Sequence, residues 1–344
     1  MHILNWFRRK KDKIIIGIHG LDNKPSEKLL RRWWIQSIRD GLHQIGKDEL
    51  SFRFEIAYWA DLLHPKPLNK RIKTKDSPFF LSDPYVPLKK TDKSIPKSNR
   101  WRKKILNLFE AILDSLYFSK RFAGKLIRWS GHFIKKRFSD LYVYFSDAHV
   151  ITGDKIILTR KAIQDRLLVL LRKYRQCEIL LIGHSMGSII AFDVLNIVKD
   201  NIRVYTFVTI GSPLGLPLIM EKIAEEHNLA MDDKHRLTVP ESVEYHWFNL
   251  ADLHDKVTIN YTLADDFAPN SKGVKIVDFT VDNKYEINGQ KNPHKAYGYL
   301  QTEKMAEIIA DFLQEGVKKD RRQRLWSSLW GKAPQKKEKM RSEL

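Results

Sequence analysis

The stretch "EILLIGHSMGSIIAFDVL" (residues 178–195) decides the fold, because it joins a strand to a helix through one tight turn. The apolar run 179–182 predicts a buried strand, and the apolar-rich residues after the turn predict a helix over 186–199. Between the two stands Ser185, in the Gly-x-Ser-x-Gly pentapeptide of residues 183–187. The pentapeptide raises one question: whether this serine is a nucleophile or a part of a glycine-rich turn.

The strand–turn–helix setting favours a nucleophile. A serine at such a corner lies on a strained turn, and the flanking glycines avoid clashes that a Cβ would cause. The turn lifts the hydroxyl above the edge of the sheet. It also places the N–H of Met186 at a helix N-terminus, where it can donate to a developing oxyanion. We therefore predict that Ser185 is the nucleophile of an acyl-transfer reaction.

Strands and helices alternate on both sides of this corner. Strands are predicted over 13–20, 52–60, 178–183, 204–211, 243–250 and 274–281, and helices over 26–42, 156–174, 186–199 and about 299–316. Ser26 is the predicted N-cap of the first helix. This alternation predicts an α/β fold with a mostly parallel sheet that carries helices on both faces.

The length and composition indicate how large a core the chain can bury and in which cellular compartment it is expected. A chain of 344 residues with 43% hydrophobic content can bury one large α/β domain with an insertion, or two modest domains. The sequence contains no apolar run of the roughly 18 residues that a membrane span requires, and its start does not resemble a secretory signal. The single cysteine, Cys177, fits a reducing compartment. These features predict a cytoplasmic protein.

The formal charge of +20 is concentrated in three segments of the chain. Residues 62–137 hold 20 Lys/Arg against 5 Asp/Glu, residues 1–13 hold five against one, and residues 318–344 hold ten against three. The rest of the chain is therefore net negative. Charge localised in this way indicates that particular segments face something anionic.

The basic segments also mark the predicted domain boundaries. A catalytic domain is predicted over 13–61 and 139–317, with a basic, aromatic N-terminal segment (1–12) and a basic tail (318–344) outside it. Residues 62–138 interrupt the domain as a basic cap or lid insertion. The insertion is proline-rich at first and then helical in pattern, with apolar residues at Ile105, Leu108, Phe109, Ile112, Leu113 and Leu116.

A serine nucleophile needs a base, and the base is predicted from chain order. Near neutral pH a serine hydroxyl reacts poorly unless a neighbouring group takes its proton. In this strand–turn–helix setting the order along the chain is serine, acid, histidine. Five histidines follow Ser185, but only His294 comes after the last predicted strand. We predict His294 as the base; the alternative is a surface histidine in a loop.

The acid should follow the preceding strand, 243–250. The loop "ADLHDKV" (251–257) offers Asp252 and Asp255 there. Asp255 is favoured, because Val257 can return the loop to the core and so fix the direction of the carboxylate. Asp252 is the alternative acid, and in the other interpretation it braces the loop. The loop after the strand before that one reads "GSPLGLP" and contains no carboxylate, which strengthens this placement.

A second oxyanion donor is predicted in the loop after the first strand. That loop begins His19-Gly20-Leu21, and the glycine allows close backbone approach. The N–H of Leu21 is the natural donor. His19 is expected to hold the loop by hydrogen bonds, and His184 is expected to pack under the turn that carries the serine.

The five stretches "IIIGIHGLDN", "LLIGHSMGSIIAFDVL", "TIGSPLG", "NLADLHDKV" and "NPHKAYGYL" together resemble α/β-hydrolases of the lipase/esterase kind. The resemblance covers residues 13–60 and about 140–316. The serine motif and "GSPLG" are also similar to intracellular phospholipase A1-type enzymes, whose long accessory regions are not evident here. One or two strands at the start of the fullest version of that fold are expected to be missing.

These residues together predict a serine hydrolase that cleaves carboxylic esters, in particular lipid acyl esters, through an acyl-enzyme. Such a reaction needs no metal and no organic cofactor. Two alternatives remain at this stage. One is a soluble esterase, thioesterase or amidase with the same residues; the other is a non-catalytic protein that keeps the fold for membrane or partner binding. The complete order of serine, acid and histidine argues against the second alternative.

The basic segments predict contact with an anionic membrane surface. The insertion and both ends combine Lys and Arg with aromatic residues (Trp6, Phe7, Trp101, Trp129, Trp326 and Trp330). Basic amphipathic stretches of this kind lie in membrane interfaces, where each basic group contributes about 1 kcal/mol. The alternative is that the apolar face of the cap packs on the catalytic domain. Nucleic acid is disfavoured as a partner, because no helix-turn-helix or stacking-sheet motif accompanies the charge.

Overall fold

The structure is a computed structural model that describes residues 12–88, 139–198, 202–255, 257 and 261–314. Most of the predicted N-terminal segment, the helical part of the predicted cap and the basic tail lie outside the described residues. Their predicted membrane contacts therefore stay predictions. Within the described ranges, no helix is long and apolar enough to cross a bilayer.

The described elements alternate between strand and helix as the sequence predicts. The strands are β1 (Lys13–Ile18), β2 (Phe54–Ala57), β3 (His149–Thr152), β4 (Lys155–Leu158), β5 (Glu178–His184), β6 (Val204–Ile210), β7 (Leu237–Thr238), β8 (Val243–Ala251), β9 (Phe267–Ala268), β10 (Ile276–Thr280), β11 (Glu286–Ile287) and β12 (Gln290–Lys291). The helices are α1 (Glu27–Gln44), α2 (Ala60–Leu63), α3 (Ser139–Tyr144), α4 (Thr159–Lys173), α5 (Met186–Val198), α6 (Pro217–His227), α7 (Ala296–Leu300) and α8 (Glu303–Gln314).

Six strands form one parallel sheet in the order β2-β1-β5-β6-β8-β10. The chain first pairs β1 with β2 and then crosses to the other side of β1 to add β5. The order therefore reverses between β1 and β5. In open parallel sheets, the crevice at the carboxyl ends of the strands beside such a reversal is where ligands bind.

The sheet carries a hydrophobic core on each face. Successive residues of β1 point to opposite sides, so Ile14 and Ile16 join one core and Ile15 joins the other. Helices α4, α5 and α6 cover the first face, and α1, α7 and α8 cover the second. The predicted α/β fold with a parallel sheet between two layers of helices is confirmed.

The structure shortens one predicted helix and adds a detail to one predicted N-cap. The helix predicted over 156–174 begins at Thr159, because Lys155–Leu158 pairs with β3 as a hairpin that turns at Gly153 (φ +59°). Adjacent β-branched isoleucines and a glycine that tolerates positive φ favour this hairpin over a longer helix. Ser26 stands at the N-cap of α1 as predicted, but its hydroxyl makes no capping hydrogen bond.

The first part of the predicted cap is tied to the domain. Tyr85 donates to a carboxylate oxygen of Asp40 on α1 at 2.7 Å, and Tyr285 donates to the carbonyl of Pro84 at 2.6 Å. Asp83 forms an ion pair with Lys295 at 3.1 Å. The chain up to residue 88 therefore lies against α1 and against the loop before α7. This loop carries His294.

Candidate active site

Ser185 occupies the corner between β5 and α5. β5 ends at His184 and α5 begins at Met186, so Ser185 stands alone between them with a φ of +52°, in the left-handed region. Its N–H donates to the carbonyl of Ile210 at the end of β6 (3.1 Å), which fixes the corner against the neighbouring strand. The N–H of Met186 belongs to the first turn of α5, where amides have no acceptor within the helix.

Close packing around the corner requires the two glycines of the pentapeptide. A Cβ on Gly183 would lie 2.7 Å from the Cα of Ser188. A Cβ on Gly187 would lie 2.4 Å from the carbonyl oxygen of Ile18, at the end of β1. Any side chain at these positions would therefore push α5 away from the sheet and displace the serine.

His294 reaches Ser185 from the loop before α7. Its Nε2 lies 3.0 Å from the Ser185 Oγ, and its Nδ1 lies 2.9 and 3.0 Å from the two carboxylate oxygens of Asp255. A carboxylate only accepts hydrogen bonds, so Nδ1 carries the proton and Nε2 is free to accept from the serine hydroxyl. The three residues form a continuous hydrogen-bonded chain, which we call the Ser185–His294–Asp255 chain.

Asp255 is fully buried, and two further groups donate to it. The Tyr299 hydroxyl donates to Oδ2 at 2.7 Å, and the backbone N–H of Val257 donates to Oδ1 at 3.0 Å. Burial first, and then the neighbouring Asp255 charge and this hydrogen bond, raise the pKa of Tyr299 well above its usual value, so the hydroxyl stays a donor. Val257 thus fixes the direction of the carboxylate through its own backbone.

Asp252, the alternative acid, points elsewhere. Its Oδ1 accepts the N–H of His254 at 2.7 Å, and its Oδ2 accepts the N–H of Asn283 at 2.6 Å. Its carbonyl accepts the N–H of Asp255 at 2.9 Å. The structure therefore brings Asp255 to His294, and it places Asp252 as the brace of the same loop.

Gly211 makes room for Asp255 and His294 to meet. Its φ is +54°, and a Cβ there would lie 3.0 Å from Asp255 Oδ2, 3.1 Å from the Tyr299 ring and 3.2 Å from His294 Nδ1. Neither Gly211 nor Tyr299 was singled out from the sequence. The stretches "TIGSPLG" and "NPHKAYGYL" contain both residues, but only the packing of three separate loops gives them this role.

The loop after β1 lies against Ser185, and its peptide between Gly20 and Leu21 is oriented by His19. A Cβ on Gly20 would lie 2.8 Å from that of Ser185. The His19 Nε2 accepts the N–H of Trp59 at 3.1 Å, so Nδ1 carries the proton and donates to the Gly20 carbonyl at 2.8 Å. In a trans peptide the N–H points opposite to the C=O, so the Leu21 N–H points away from His19.

His19 is a structural donor, as predicted, and is kept neutral. Burial, and next the charge of Lys24, lower its pKa to about 3. Its ring stacks on Trp59 at a centroid distance of 4.7 Å. These contacts hold its Nδ1–H on the Gly20 carbonyl over the whole neutral range.

The peptide between Leu21 and Asp22 is held at its N–H and at its carbonyl. The Asp22 N–H donates to a carboxylate oxygen of buried Asp140 at 2.7 Å, and the Lys24 ammonium donates to the Leu21 carbonyl. Burial would raise the pKa of Asp140, but hydrogen bonds from His64 and Asp22 and the charge of Lys24 lower it below its usual value. The loop that carries the predicted Leu21 donor is thereby rigidly placed.

His184 lies under the corner and contacts His294. Its Nε2–H donates to the carbonyl of His294 at 2.8 Å, and the two rings lie 4.9 Å apart. Burial, and next the neighbouring His294, lower the pKa of His184 well below its usual value. The predicted packing role is confirmed, with the addition that His184 holds the backbone of His294.

Comparison with known proteins does not assign this chain to a family. No family model matches the sequence, and no curated protein matches it. Across the described ranges, no group of three or more His, Cys, Asp or Glu side chains is arranged to hold a metal ion. The geometry of the site is therefore what indicates its chemistry.

Proposed function

We propose that this protein is a serine hydrolase of the α/β-hydrolase fold that cleaves carboxylic esters through an acyl-enzyme. The observation that carries the proposal is the Ser185–His294–Asp255 chain at the carboxyl edge of the sheet. Its three members follow β5, β10 and β8, so they converge although they are far apart in sequence. The strand order, with the serine beside the reversal between β1 and β5, supports the same fold.

The proposed reaction begins when His294 Nε2 takes the Ser185 proton as Oγ attacks the acyl carbonyl. Asp255 stabilises the imidazolium that forms, and the oxyanion accepts hydrogen bonds from the N–H groups of Leu21 and Met186. The intermediate collapses as His294 returns the proton to the leaving alkoxide. Water, deprotonated by the same histidine, then releases the carboxylic acid and regenerates the serine.

Labelling with an active-site fluorophosphonate tests the nucleophile. The wild-type protein should label at one site, and Ser185→Ala should not label. Ser242→Ala is the matched control, because Ser242 is equally buried but bonds to the Leu195 carbonyl near the opposite end of the sheet. Equal labelling of wild type and Ser185→Ala would overturn the assignment, and absence of labelling in a folded wild type would favour the non-catalytic alternative.

We further propose that the substrate is a lipid acyl ester taken at an anionic surface. The basic insertion and ends support this, together with one described feature, the β3–β4 hairpin. Ile151 and Ile156 lie directly opposite each other on it and are 77% and 71% exposed. Exposed isoleucines that follow a basic insertion closely in the chain suit an interface with lipid.

Two measurements decide the substrate class. Hydrolysis of esters of increasing acyl length, with and without anionic liposomes, should show activity that rises with chain length and with lipid. A soluble esterase, thioesterase or amidase would instead prefer short or differently linked substrates and ignore the liposomes. The protein should also sediment with anionic liposomes at low salt and less at high salt; failure to sediment at low salt removes the membrane proposal.

A further inference from the structure

Asn283 joins the loop of the base to the loop of the acid. It lies just beyond β10 and is buried. Its side-chain Nδ2 donates to the carbonyl of Pro293 at 2.7 Å and to the carbonyl of Lys295 at 2.9 Å. Both hydrogens of the amide are thus donated to the carbonyls of the two residues that flank His294.

The backbone N–H and the side-chain oxygen of Asn283 are also engaged. Its backbone N–H donates to Asp252 Oδ2 at 2.6 Å, and its Oδ1 accepts the N–H of Tyr285 at 3.1 Å. Asp252 in turn accepts the N–H of Asp255 on its own carbonyl at 2.9 Å. A short path of hydrogen bonds therefore runs from the backbone around His294, through Asn283 and Asp252, to the backbone of Asp255.

The fit around this side chain leaves no room for a side chain at position 298 of the facing helix. A Cβ on Gly298, in α7, would lie 1.6 Å from the Asn283 Oδ1. The glycine lets α7 press directly on the asparagine. Since α7 follows His294 at once, the position of the base depends on both residues.

We propose that Asn283 is the positioning residue for the base: it sets the His294 ring between Ser185 and Asp255 by holding the carbonyls of the two residues that flank it, Pro293 and Lys295. The effect of Asn283 on catalysis rests on the proposed function. An asparagine suits this task because only a donor can hold two carbonyls, and its amide supplies two donors in one plane. A carboxylate of the same shape would repel both carbonyls.

Asn270 offers a matched control elsewhere in the fold. It is also buried, its Nδ2 donates to the carbonyls of Pro240 and Val243 at 3.3 and 3.0 Å, and its Oδ1 accepts two backbone N–H groups. Val243 begins β8, so this clasp lies at the amino end of the sheet, away from His294. Asn270→Asp therefore makes the same chemical change and likewise removes two buried hydrogen bonds to backbone carbonyls.

The test compares Asn283→Asp and Asn270→Asp in the full chain, under conditions where circular dichroism shows both folded. We expect Asn283→Asp to lower the fluorophosphonate labelling rate and kcat by about 10- to 100-fold with little change in KM, since a small misplacement of a catalytic group has effects of this size. Asn283→Ser, which keeps one donor, should fall between it and the wild type. Asn270→Asp should label at the wild-type rate.

Equal loss in both aspartate variants, or an unchanged rate in Asn283→Asp, would overturn the inference while leaving the proposed function standing. If the wild type does not label at all, the proposed function fails instead. In that case the imidazole resonances of His294, assigned with His294→Gln, still decide the inference: they should shift in Asn283→Asp and not in Asn270→Asp. Unshifted resonances in Asn283→Asp would overturn it.

Discussion

Asp193 and Asp255 are both fully buried, and both accept hydrogen bonds from a histidine and a tyrosine. Around Asp193 the donors are Tyr144, Arg160, Gln164 and His227, which come from α3, α4 and α6. We call these five residues the Asp193 cluster. Asp255 lies in a loop at the carboxyl edge of the sheet, and the histidine that it holds faces Ser185 with its other nitrogen.

The difference between the two shows that residue types alone do not distinguish a support from a site. The Asp193 cluster joins four helices on one face of the sheet, and a guanidinium neutralises its carboxylate at 2.8 Å. The Ser185–His294–Asp255 chain joins three loops at the carboxyl edge of the sheet and ends on the hydroxyl of Ser185, the proposed nucleophile, beside the reversal of the strand order. Position at the carboxyl edge and the partner of the second imidazole nitrogen are the distinguishing features.

The largest expected effect separates activity from stability. Asp255→Asn should lower kcat by about 10³- to 10⁴-fold, because an amide no longer holds the productive tautomer of the histidine. Asp193→Asn should leave the activity of the folded protein near that of the wild type but lower the free energy of unfolding by about 3–5 kcal/mol, because Arg160 loses its buried partner. Ester hydrolysis and urea unfolding measure the two. Inactivity of folded Asp193→Asn would break the comparison.

The free energy of unfolding at acid pH should depend on the protonation of Asp193. Burial would raise the pKa of Asp193, but hydrogen bonds from His227 and Tyr144 and the charge of Arg160 lower it below its usual value. A carboxyl group with a lowered pKa stabilises the fold above its unfolded pKa of 3.8, and this stability is lost as the pH falls through the folded value.

Urea unfolding between pH 5 and 3 measures this dependence. The free energy of unfolding should decline less steeply in Asp193→Asn than in the wild type, by at most about 1.4 kcal/mol per pH unit. Parallel curves for the two proteins would show that Asp193 does not carry the acid dependence.

The smallest expected effect comes from the two tyrosines. Tyr299→Phe removes one donor to Asp255 and should lower kcat by about tenfold, as expected for a hydrogen bond to a charged group. Tyr144→Phe removes the corresponding donor to Asp193 and should cost about 1–3 kcal/mol of stability with kcat unchanged. Steady-state kinetics and thermal unfolding of both variants measure the pair. A tenfold loss of kcat in folded Tyr144→Phe would contradict it.

The pentapeptide predicted Ser185, and chain order predicted His294 and left Asp252 and Asp255 as candidates for the acid, because each follows a strand end and parallel strands bring their carboxyl ends together. The return of the loop at Val257 was the argument that favoured Asp255. Gly211, Tyr299 and Asn283 could not be predicted in this way, since their roles depend on how loops distant in sequence pack against each other. The β3–β4 hairpin was missed for a different reason. A short apolar run before a helix has no periodicity that distinguishes strand from helix.

The contact between His64 and Asp140 has a consequence for how the chain can be divided. His64 stands just inside the start of the insertion and Asp140 just beyond its end, yet their side chains meet at 3.2 Å. The chain therefore passes the same point of the domain twice, once on each side of the insertion. A few residues of linker could join these two points at little entropic cost and leave all six sheet strands in place. Such a variant would lose the contacts that residues 83–85 make with α1 and with the loop before α7, so it would separate the sheet's own stability from the support that the insertion gives to the loop of His294.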